Sequence, residues 1–274
     1  TRALSRAGLS AHRASSGMTS SGPVLGANEN EYLEPPKIAL LRHRPFSSNS
    51  FGAHWFMLDH QMPMPHVPIN VDDLRRTDLE QYNTLVMPRS WGSPARELNG
   101  NTLSDLKQWV RDGGVLVATG SSGMWASRAI LDLNADNGND SSGDEQPPSS
   151  MSYKERREQS VQRRVPGTQV RIDVDSSHPL AAGCDEHYGV LKRGRSTLPV
   201  GERGMVVARF AEQPIIGGAM SEENAARIAG TPFMTHHRHG RGHVICLSED
   251  LTFRGFQHGP MRLLLNAITY GASF

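Results

Sequence analysis

The stretch LKQWVRDGGVLVATGSSGMW, residues 106 to 125, decides the fold of this chain. Its pair Gly113 and Gly114 ends a helical pattern and opens the apolar run VLVAT at 115 to 119. A short and almost entirely apolar run is typical of a parallel strand that is covered on both faces. The stretch therefore predicts the helix, strand and turn of an α/β protein.

The helix before this strand is the clearest one in the sequence. Thr102 and Asp105 have the spacing of a capping box, which predicts that the helix starts there. Leu103, Leu106 and Val110 recur at helical spacing and predict its buried face.

Three similar apolar runs come earlier: KIALL at 37 to 41, HVPINV at 66 to 71 and TLVMP at 84 to 88. Because helical segments separate these runs, we expect parallel strands joined by right-handed crossovers. The strands at 38–41, 85–87 and 115–119 should be neighbours. The helix after the first strand should bury one stripe, made of Phe51, Trp55, Leu58 and Met62.

The second half of the chain is predicted to be rich in β-strands. The runs are QVRIDV, MVVARF, PIIGGAM, PFMTHH and HVICL, and two glycines between the last two indicate a hairpin. An amphipathic helix carrying Met261, Leu264, Leu265 and Ile268 closes the chain. Since this half lacks helical layers of its own, we expect one α/β domain with a mostly parallel sheet.

Composition divides the chain into a linker and a folded domain. Residues 1–36 are rich in Ser, Gly and Ala and end in two prolines, so they predict a flexible segment, either a transit peptide or the remnant of an upstream domain. The domain then spans 37–274, with a low-complexity insertion at about 134–165. Its part from 134 to 152 should be mobile and removable, and Lys154 to Arg164 should be a solvated helix or loop.

Charge and cysteine content exclude several classes of function. The formal net charge is +1 and the isoelectric point is about 7.9, so we expect neither a nucleic-acid partner nor a membrane-surface partner. Cys184 and Cys246 do not have a metal or redox spacing. Cys246 is predicted to be a buried apolar residue, and a disulfide between the two remains open.

The turn after VLVAT is the candidate catalytic position. Such a turn can place a nucleophile at a helix N-terminus, facing backbone N–H groups that stabilise an oxyanion. In the enzymatic pattern the strand is followed by Cys, any residue and Gly, and here Gly120 stands at the nucleophile position. Ser121 and Ser122 are the remaining candidates, but Met124 breaks a G-x-S-x-G motif. Without a nucleophile, a serine here is typical of a helix cap.

Histidines around the predicted hairpin are a second candidate site. Alternation along a strand places His237 and His239 on one face, where they could hold zinc or copper with a third ligand. The alternative is a polar hairpin tip with surface histidines. The acidic positions Asp185 and Glu186, beside His187, and Glu249 and Asp250 have no predicted pocket, so they are interpreted as loop residues.

Several motifs resemble one known family in order and spacing. They are residues 37–41, 52–74, 82–88, 106–126, 166–183, 239–256 and 261–271, and ALSRAGL at 3–9 resembles a connector. Together they resemble the glutamine-amidotransferase-like domain at the C-terminal end of certain carboxypeptidase A-type zinc metallopeptidases. The resemblance implies a flavodoxin-like sheet flanked by helices and an extracytoplasmic parent enzyme. Zinc and its ligands would belong to the upstream carboxypeptidase domain, the expected partner, and no metal-site residue carries over to this chain.

Three functions are compatible with these observations. The first is a non-catalytic accessory domain that packs on, positions or helps a zinc carboxypeptidase to bind substrate. The second is a free-standing serine hydrolase that uses Ser121 or Ser122. The third is a small-ligand or metal-binding module built on the histidine hairpin.

Overall fold

The computed structural model describes residues 8–10, 15–22, 24, 27, 33–133, 151–157 and 164–273. One unit comprises residues 1 to 34, and its described residues lie in turns, bends and irregular backbone. Residues 35 to 272 form a second, compact unit. The predicted insertion lies largely outside the described residues, at 134–150 and 158–163; within it, the short segment 153–157 is helical and exposed. Across the described ranges, no helix is long and apolar enough to cross a bilayer.

The described residues of the compact unit form nine strands and, besides the short helical segment 153–157, five α-helices. The strands are β1 (Ile38–Arg42), β2 (His66–Asn70), β3 (Thr84–Met87), β4 (Val115–Thr119), β5 (Thr168–Val174), β6 (His187–Lys192), β7 (Gly204–Gly217), β8 (Pro232–His239) and β9 (Gly242–Leu247). The helices are α1 (Ser48–Phe56), α2 (Gly100–Arg111), α3 (Ser121–Ala129), α4 (Glu222–Ile228) and α5 (Met261–Tyr270).

All nine strands belong to one mixed sheet with the order β2-β1-β3-β4-β9-β8-β7-β5-β6. The pairs from β2 to β9 are parallel, and Leu85 of β3 lies between Ala39 of β1 and Leu116 of β4. The predicted neighbours are therefore confirmed, as is the α/β fold. The remaining pairs, from β9 to β6, are antiparallel, which is the predicted β-rich second half.

The parallel strands are covered on both faces. Every second residue of these strands, such as Leu40 and Val117, belongs to a hydrophobic core on one face of the sheet, which includes α5. The alternate residues, such as Leu41 and Leu116, join a second core that includes α2 and α3. Burial on both faces explains why these strands lack the polar alternation of a half-exposed sheet.

Three details of the elements differ from the prediction. The runs MVVARF and PIIG belong to one long strand, β7, whose pairing is interrupted by bulges. Helix α2 begins at Gly100, and Thr102 lies inside it, where its hydroxyl accepts a hydrogen bond of 2.6 Å from Arg75 Nε. The predicted capping box is therefore wrong.

The buried face of α1 also differs from the prediction. Trp55 and Met62 are exposed, whereas His54, Met57 and Leu58 are buried. The inward face of the helix carries Ser50 and His54, and a π-helical turn over Met57–Gln61 continues it with Met57 and Leu58 buried. The buried face therefore includes His54, a histidine that the apolar pattern did not identify.

Candidate functional site

The turn between β4 and α3 has the backbone of a strained strand-to-helix junction. Gly120 adopts φ 58° and ψ −130°, and its N–H donates to the carbonyl of Leu247 at 2.8 Å. A Cβ at position 120 would lie 3.0 Å from Cγ and 3.3 Å from Cβ of Arg89. A side chain at position 120 would therefore press against Arg89, which would have to shift by a few tenths of an ångström to accommodate it.

Both candidate serines are held by backbone carbonyls. Ser121 Oγ donates to the carbonyl of Ser90 at 2.5 Å and accepts from the Ser90 N–H at 3.1 Å. Ser122 is fully buried, and its Oγ donates to the carbonyl of Pro88 at 2.6 Å. Within the described residues, neither hydroxyl has a hydrogen bond with a histidine or a carboxylate.

Asp250 is the centre of a buried polar network beside this turn. Its carboxylate accepts hydrogen bonds from Ser50 Oγ and Thr252 Oγ1, both at 2.6 Å, and from the Thr252 N–H at 3.0 Å. Ser50 Oγ in turn accepts from the Arg89 N–H at 3.0 Å. Asp250 is a loop residue, as predicted, but it lines a cavity, contrary to the prediction, and its carboxylate connects the end of β9 to α1 and to the end of β3.

His54 extends the network into the core. Its Nδ1 lies 2.8 Å from the carbonyl of Ser50 and 3.0 Å from Thr252 Oγ1. Since a carbonyl can only accept, Nδ1 carries the hydrogen, and Nε2 of this fully buried ring has no hydrogen-bond partner in the part of the chain that the structure describes.

A cavity of about 320 Å³ opens in front of Asp250. Three arginines reach it from different elements: Arg89 after β3, Arg193 after β6 and Arg254 in the loop before α5. The aromatic residues Trp91 and Phe253 also line it. Strands β3 and β9 are both parallel to β4, so the cavity lies at the carboxyl edge of the parallel strands, where ligands of open α/β sheets bind.

Two of the guanidinium groups stack on the same aromatic ring. The Arg193 Cζ lies 3.8 Å and the Arg254 Cζ 5.3 Å from the centre of the Phe253 ring. Burial, together with the positive charges of Arg89 and Arg254, lowers the pKa of Arg193, and the carboxylates of Glu249 and Asp250 oppose this effect. We call this the arginine pocket: Arg89, Arg193, Arg254, Asp250, Trp91 and Phe253.

A buried ion pair holds the end of β6 beside this pocket. Lys192 Nζ donates to Glu249 Oε1 and to the carbonyl of Ser196, both at 2.8 Å. Strand β6 is four positions from β9 in the sheet, which is about 19 Å in a flat sheet. The antiparallel half therefore curls back over the carboxyl edge, which is how Arg193 arrives beside Asp250.

A larger recess of about 700 Å³ lies against β5 and β7 and contains Asp173, Asp175 and His178. Its acids already have partners. Asp173 pairs with Arg171 at 2.8 Å, and hydrogen bonds from Ser177 lower the pKa of Asp175. The arginine pocket, with its uncompensated charge, is the better candidate for a site.

The hairpin histidines are buried, contrary to the alternative of a surface tip. His237 is 5% exposed, and its two ring nitrogens lack hydrogen-bond partners among the described residues. His239 is half-buried and accepts from Arg111 Nε at 3.3 Å. Strands β8 and β9 lie inside the sheet, which explains the burial. The described residues contain no group of three His, Cys, Asp or Glu that could hold a metal ion.

Three other histidines form a hydrogen-bonded row. His178 Nδ1 accepts from the Leu180 N–H at 3.0 Å, so its Nε2–H donates to His236 Nδ1 at 3.1 Å. The His236 Nε2–H then donates to His243 Nδ1 at 2.8 Å. Burial, reinforced by the neighbouring histidines, lowers the pKa of His236 to about 3. The middle ring of the row, His236, is therefore neutral at physiological pH.

The two cysteines are free thiols. Cys246 is buried as predicted, and burial raises its pKa to about 12. Burial also raises the pKa of Cys184. Neither thiol is activated for nucleophilic attack.

Sequence reasoning missed the arginines of the pocket. One signal could have found Arg89: it follows an apolar parallel strand, at the edge where catalytic and binding residues collect. The same signal marks Asp250, three residues after β9. No signal marks Arg193, because the curl of the sheet is not visible in the sequence.

Comparison with known proteins gives structural matches only. No protein-family profile matches the chain, and no curated protein matches it significantly in sequence. A protein described as a GMP synthase subunit from Thermoplasma acidophilum has a TM-score of 0.52 at 11% identity, over 85% of this chain and 92% of that chain. PurLQS from Thermotoga maritima has a TM-score of 0.53 at 10% identity, over 86% and 99%.

A ThuA-like protein from Parabacteroides merdae is similar to the same degree, with a TM-score of 0.52 and 12% identity over 87% of this chain and 90% of that chain. These TM-scores establish a common fold, and sequence identities this low leave the function open. The chain therefore shares the α/β fold of these three proteins.

Proposed function

We propose that this chain is a non-catalytic, glutamine-amidotransferase-like accessory domain that binds or positions a partner molecule. The observation that carries the proposal is the contact between position 120 and Arg89. A glycine stands at the turn, and a Cβ in its place would lie only 3.0 Å from Cγ of Arg89.

The missing nucleophile has no replacement nearby. A covalent mechanism needs a thiolate or hydroxyl with an adjacent base. The hydroxyl of Ser121 would have to leave the carbonyl of Ser90 and find a base, and that of Ser122 would have to leave the carbonyl of Pro88. This cost weighs against the serine hydrolase, which is the second candidate function.

The proposal predicts that the purified protein is inert toward three substrate classes. Release of ammonia from glutamine, of nitrophenol from short esters and of C-terminal residues from peptides should stay at the buffer rate. Ser121→Ala and Ser122→Ala should match the wild type in every assay. Turnover that is lost in either variant would overturn the proposal and establish the hydrolase.

The parent protein in this proposal is a zinc carboxypeptidase, with this domain beside its catalytic domain. The order of the sequence motifs supports this parent protein. If the parent is such a peptidase, the domain is located outside the cytoplasm. Zinc would be held by the peptidase domain. The coding sequence upstream of Thr1 tests the parent directly: an HxxE motif with a distant histidine supports it, and an unrelated upstream sequence contradicts it.

A further inference from the structure

We infer that the arginine pocket binds a small phosphate monoester, whose dianionic group lies among Arg89, Arg193 and Arg254 and whose organic part packs on Trp91. The inference deepens the proposed function, because it names the chemical class of ligand for a domain that binds without reacting.

The first argument is that the pocket's cations lack partners. Arg193 and Arg254 place two positive charges on one phenylalanine ring, and Arg89 adds a third close by. In the described portion of the chain, none of these guanidinium groups has an ion pair or a hydrogen bond to a protein acceptor. Like charges held together in a half-buried cleft repel one another unless an anion lies between them.

The second argument is that the nearby carboxylates are already engaged. Glu249 is buried and paired with Lys192. Asp250 is 3% exposed and accepts three hydrogen bonds from Ser50 and Thr252. Even with Asp250 counted in full, the residues that line the pocket leave two positive charges uncompensated. The two uncompensated positive charges are matched by the two negative charges of a phosphate dianion, whereas a carboxylate ligand would supply only one.

The third argument is the direction of the surrounding backbone. The N-terminus of α1 also faces the pocket, since Ser47, Asn49 and Ser50 line it. A helix N-terminus favours an anion through its unpaired N–H groups and its dipole. Arg254 is also held in a left-handed conformation, at φ 54° and ψ 13°, which non-glycine residues rarely adopt.

The organic part of the ligand is indicated by the rim of the pocket. Trp91 is 79% exposed beside the arginines, so a large apolar ring is presented to solvent at the mouth of a charged cleft. Guanidinium forks bind phosphate in a bidentate manner, and an indole face binds a flat apolar group. The cavity volume of about 320 Å³ suits a compact ligand.

The test is titration calorimetry of the wild-type chain with phenyl phosphate, inorganic phosphate and benzoate at one ionic strength. We expect phenyl phosphate to bind at least about 10-fold more tightly than benzoate, because its dianion offers the guanidinium groups one more negative charge and one more acceptor oxygen than a carboxylate does. Arg254→Gln and Arg193→Gln should each weaken phenyl phosphate by about 10-fold or more. Trp91→Ala should weaken phenyl phosphate and leave inorganic phosphate unchanged.

The matched control is Arg241→Gln. Arg241 is an exposed arginine in the turn before β9, at the opposite edge of the parallel strands, and its substitution should leave binding unchanged. Arg254 is exposed as well, so its variant should fold normally. Absence of binding at millimolar phenyl phosphate, equal affinity for benzoate, or equal loss in the Arg241 variant would each overturn the inference. Failure here leaves the non-catalytic proposal intact, since turnover is a separate measurement.

Discussion

Lys192 shows how much one side chain contributes to the architecture around the pocket. It is 0% exposed, and its ammonium group is compensated by Glu249 and by the carbonyl of Ser196. A buried charge without its partner is strongly destabilising, whereas replacing both partners by apolar groups is often tolerated.

We therefore predict that Glu249→Leu lowers the free energy of unfolding by about 3 to 5 kcal/mol, because it leaves the Lys192 charge buried and alone. The double variant Lys192→Met and Glu249→Leu should recover most of this loss. Urea denaturation measures both values. A double variant as unstable as Glu249→Leu alone would show that the pair does more than compensate its own charges.

The buried histidines predict a dependence of stability on pH. Burial lowers the pKa of His236 to about 3 and that of His237 to about 4, whereas both have ordinary values near 6.5 in the unfolded chain. Below pH 6.5 the unfolded state binds protons that the folded state does not. Stability is therefore retained above pH 6.5 and lost as the pH falls toward 4.

Lowering the pH from 7 to 5 should reduce the free energy of unfolding by about 2 kcal/mol for each of these two histidines. Denaturation at the two pH values measures the sum. His236→Gln, which cannot take up a proton, should reduce the difference, and the same change at the exposed His258 should keep it. A pH difference that is equal in all three proteins would contradict the assignment.

At the scale of elements, Gly123 fixes how closely α3 approaches the sheet. A Cβ there would lie 2.8 Å from the carbonyl oxygen of Leu247 and 3.0 Å from that of Ala118. Both contacts involve backbone, which cannot move away as a side-chain end can. This close crossing holds the turn at Gly120 against the carboxyl ends of β4 and β9.

Gly123→Ala should therefore destabilise the protein by about 1 to 3 kcal/mol, in the range for overpacking of a filled core. Gly52 in α1 is the matched control, since a Cβ there meets no atom within 4 Å. Gly52→Ala should stabilise by about 0.5 to 1 kcal/mol through helix propensity. Thermal unfolding of the two variants checks the opposite signs, and a shared sign would refute the packing argument.

The sequence predicted elements well where one physical cause dominated. The apolar runs at 38–41, 85–87 and 115–119 are strands because they are buried on both faces, and that pattern is local. The stripe on α1 was predicted wrongly because its buried face includes the polar residues Ser50 and His54, which an apolar pattern does not mark. The division of β7 was predicted wrongly because a bulged strand keeps pairing through residues that interrupt its apolar pattern.

At the scale of the whole molecule, the site depends on a feature without a sequence signature. The turn between β4 and α3 lies at position 120, where the sequence predicted it, and its glycine was visible. The arginine pocket was not visible, because Arg89, Arg193 and Arg254 are far apart in the chain and meet only where the sheet curls. Long-range geometry of this kind follows from sheet twist and packing, which local patterns do not encode.

The central claim is that the turn between β4 and α3 carries no nucleophile, because position 120 is a glycine with Arg89 packed against it. Mass spectrometry after treatment with serine- and cysteine-reactive probes tests this claim directly. The wild type should remain unlabelled at Ser121 and Ser122. The double variant Arg89→Ala and Gly120→Cys, which provides both the thiol and the space, should be labelled at position 120. Labelling of the wild type that disappears in Ser121→Ala or Ser122→Ala would contradict the claim.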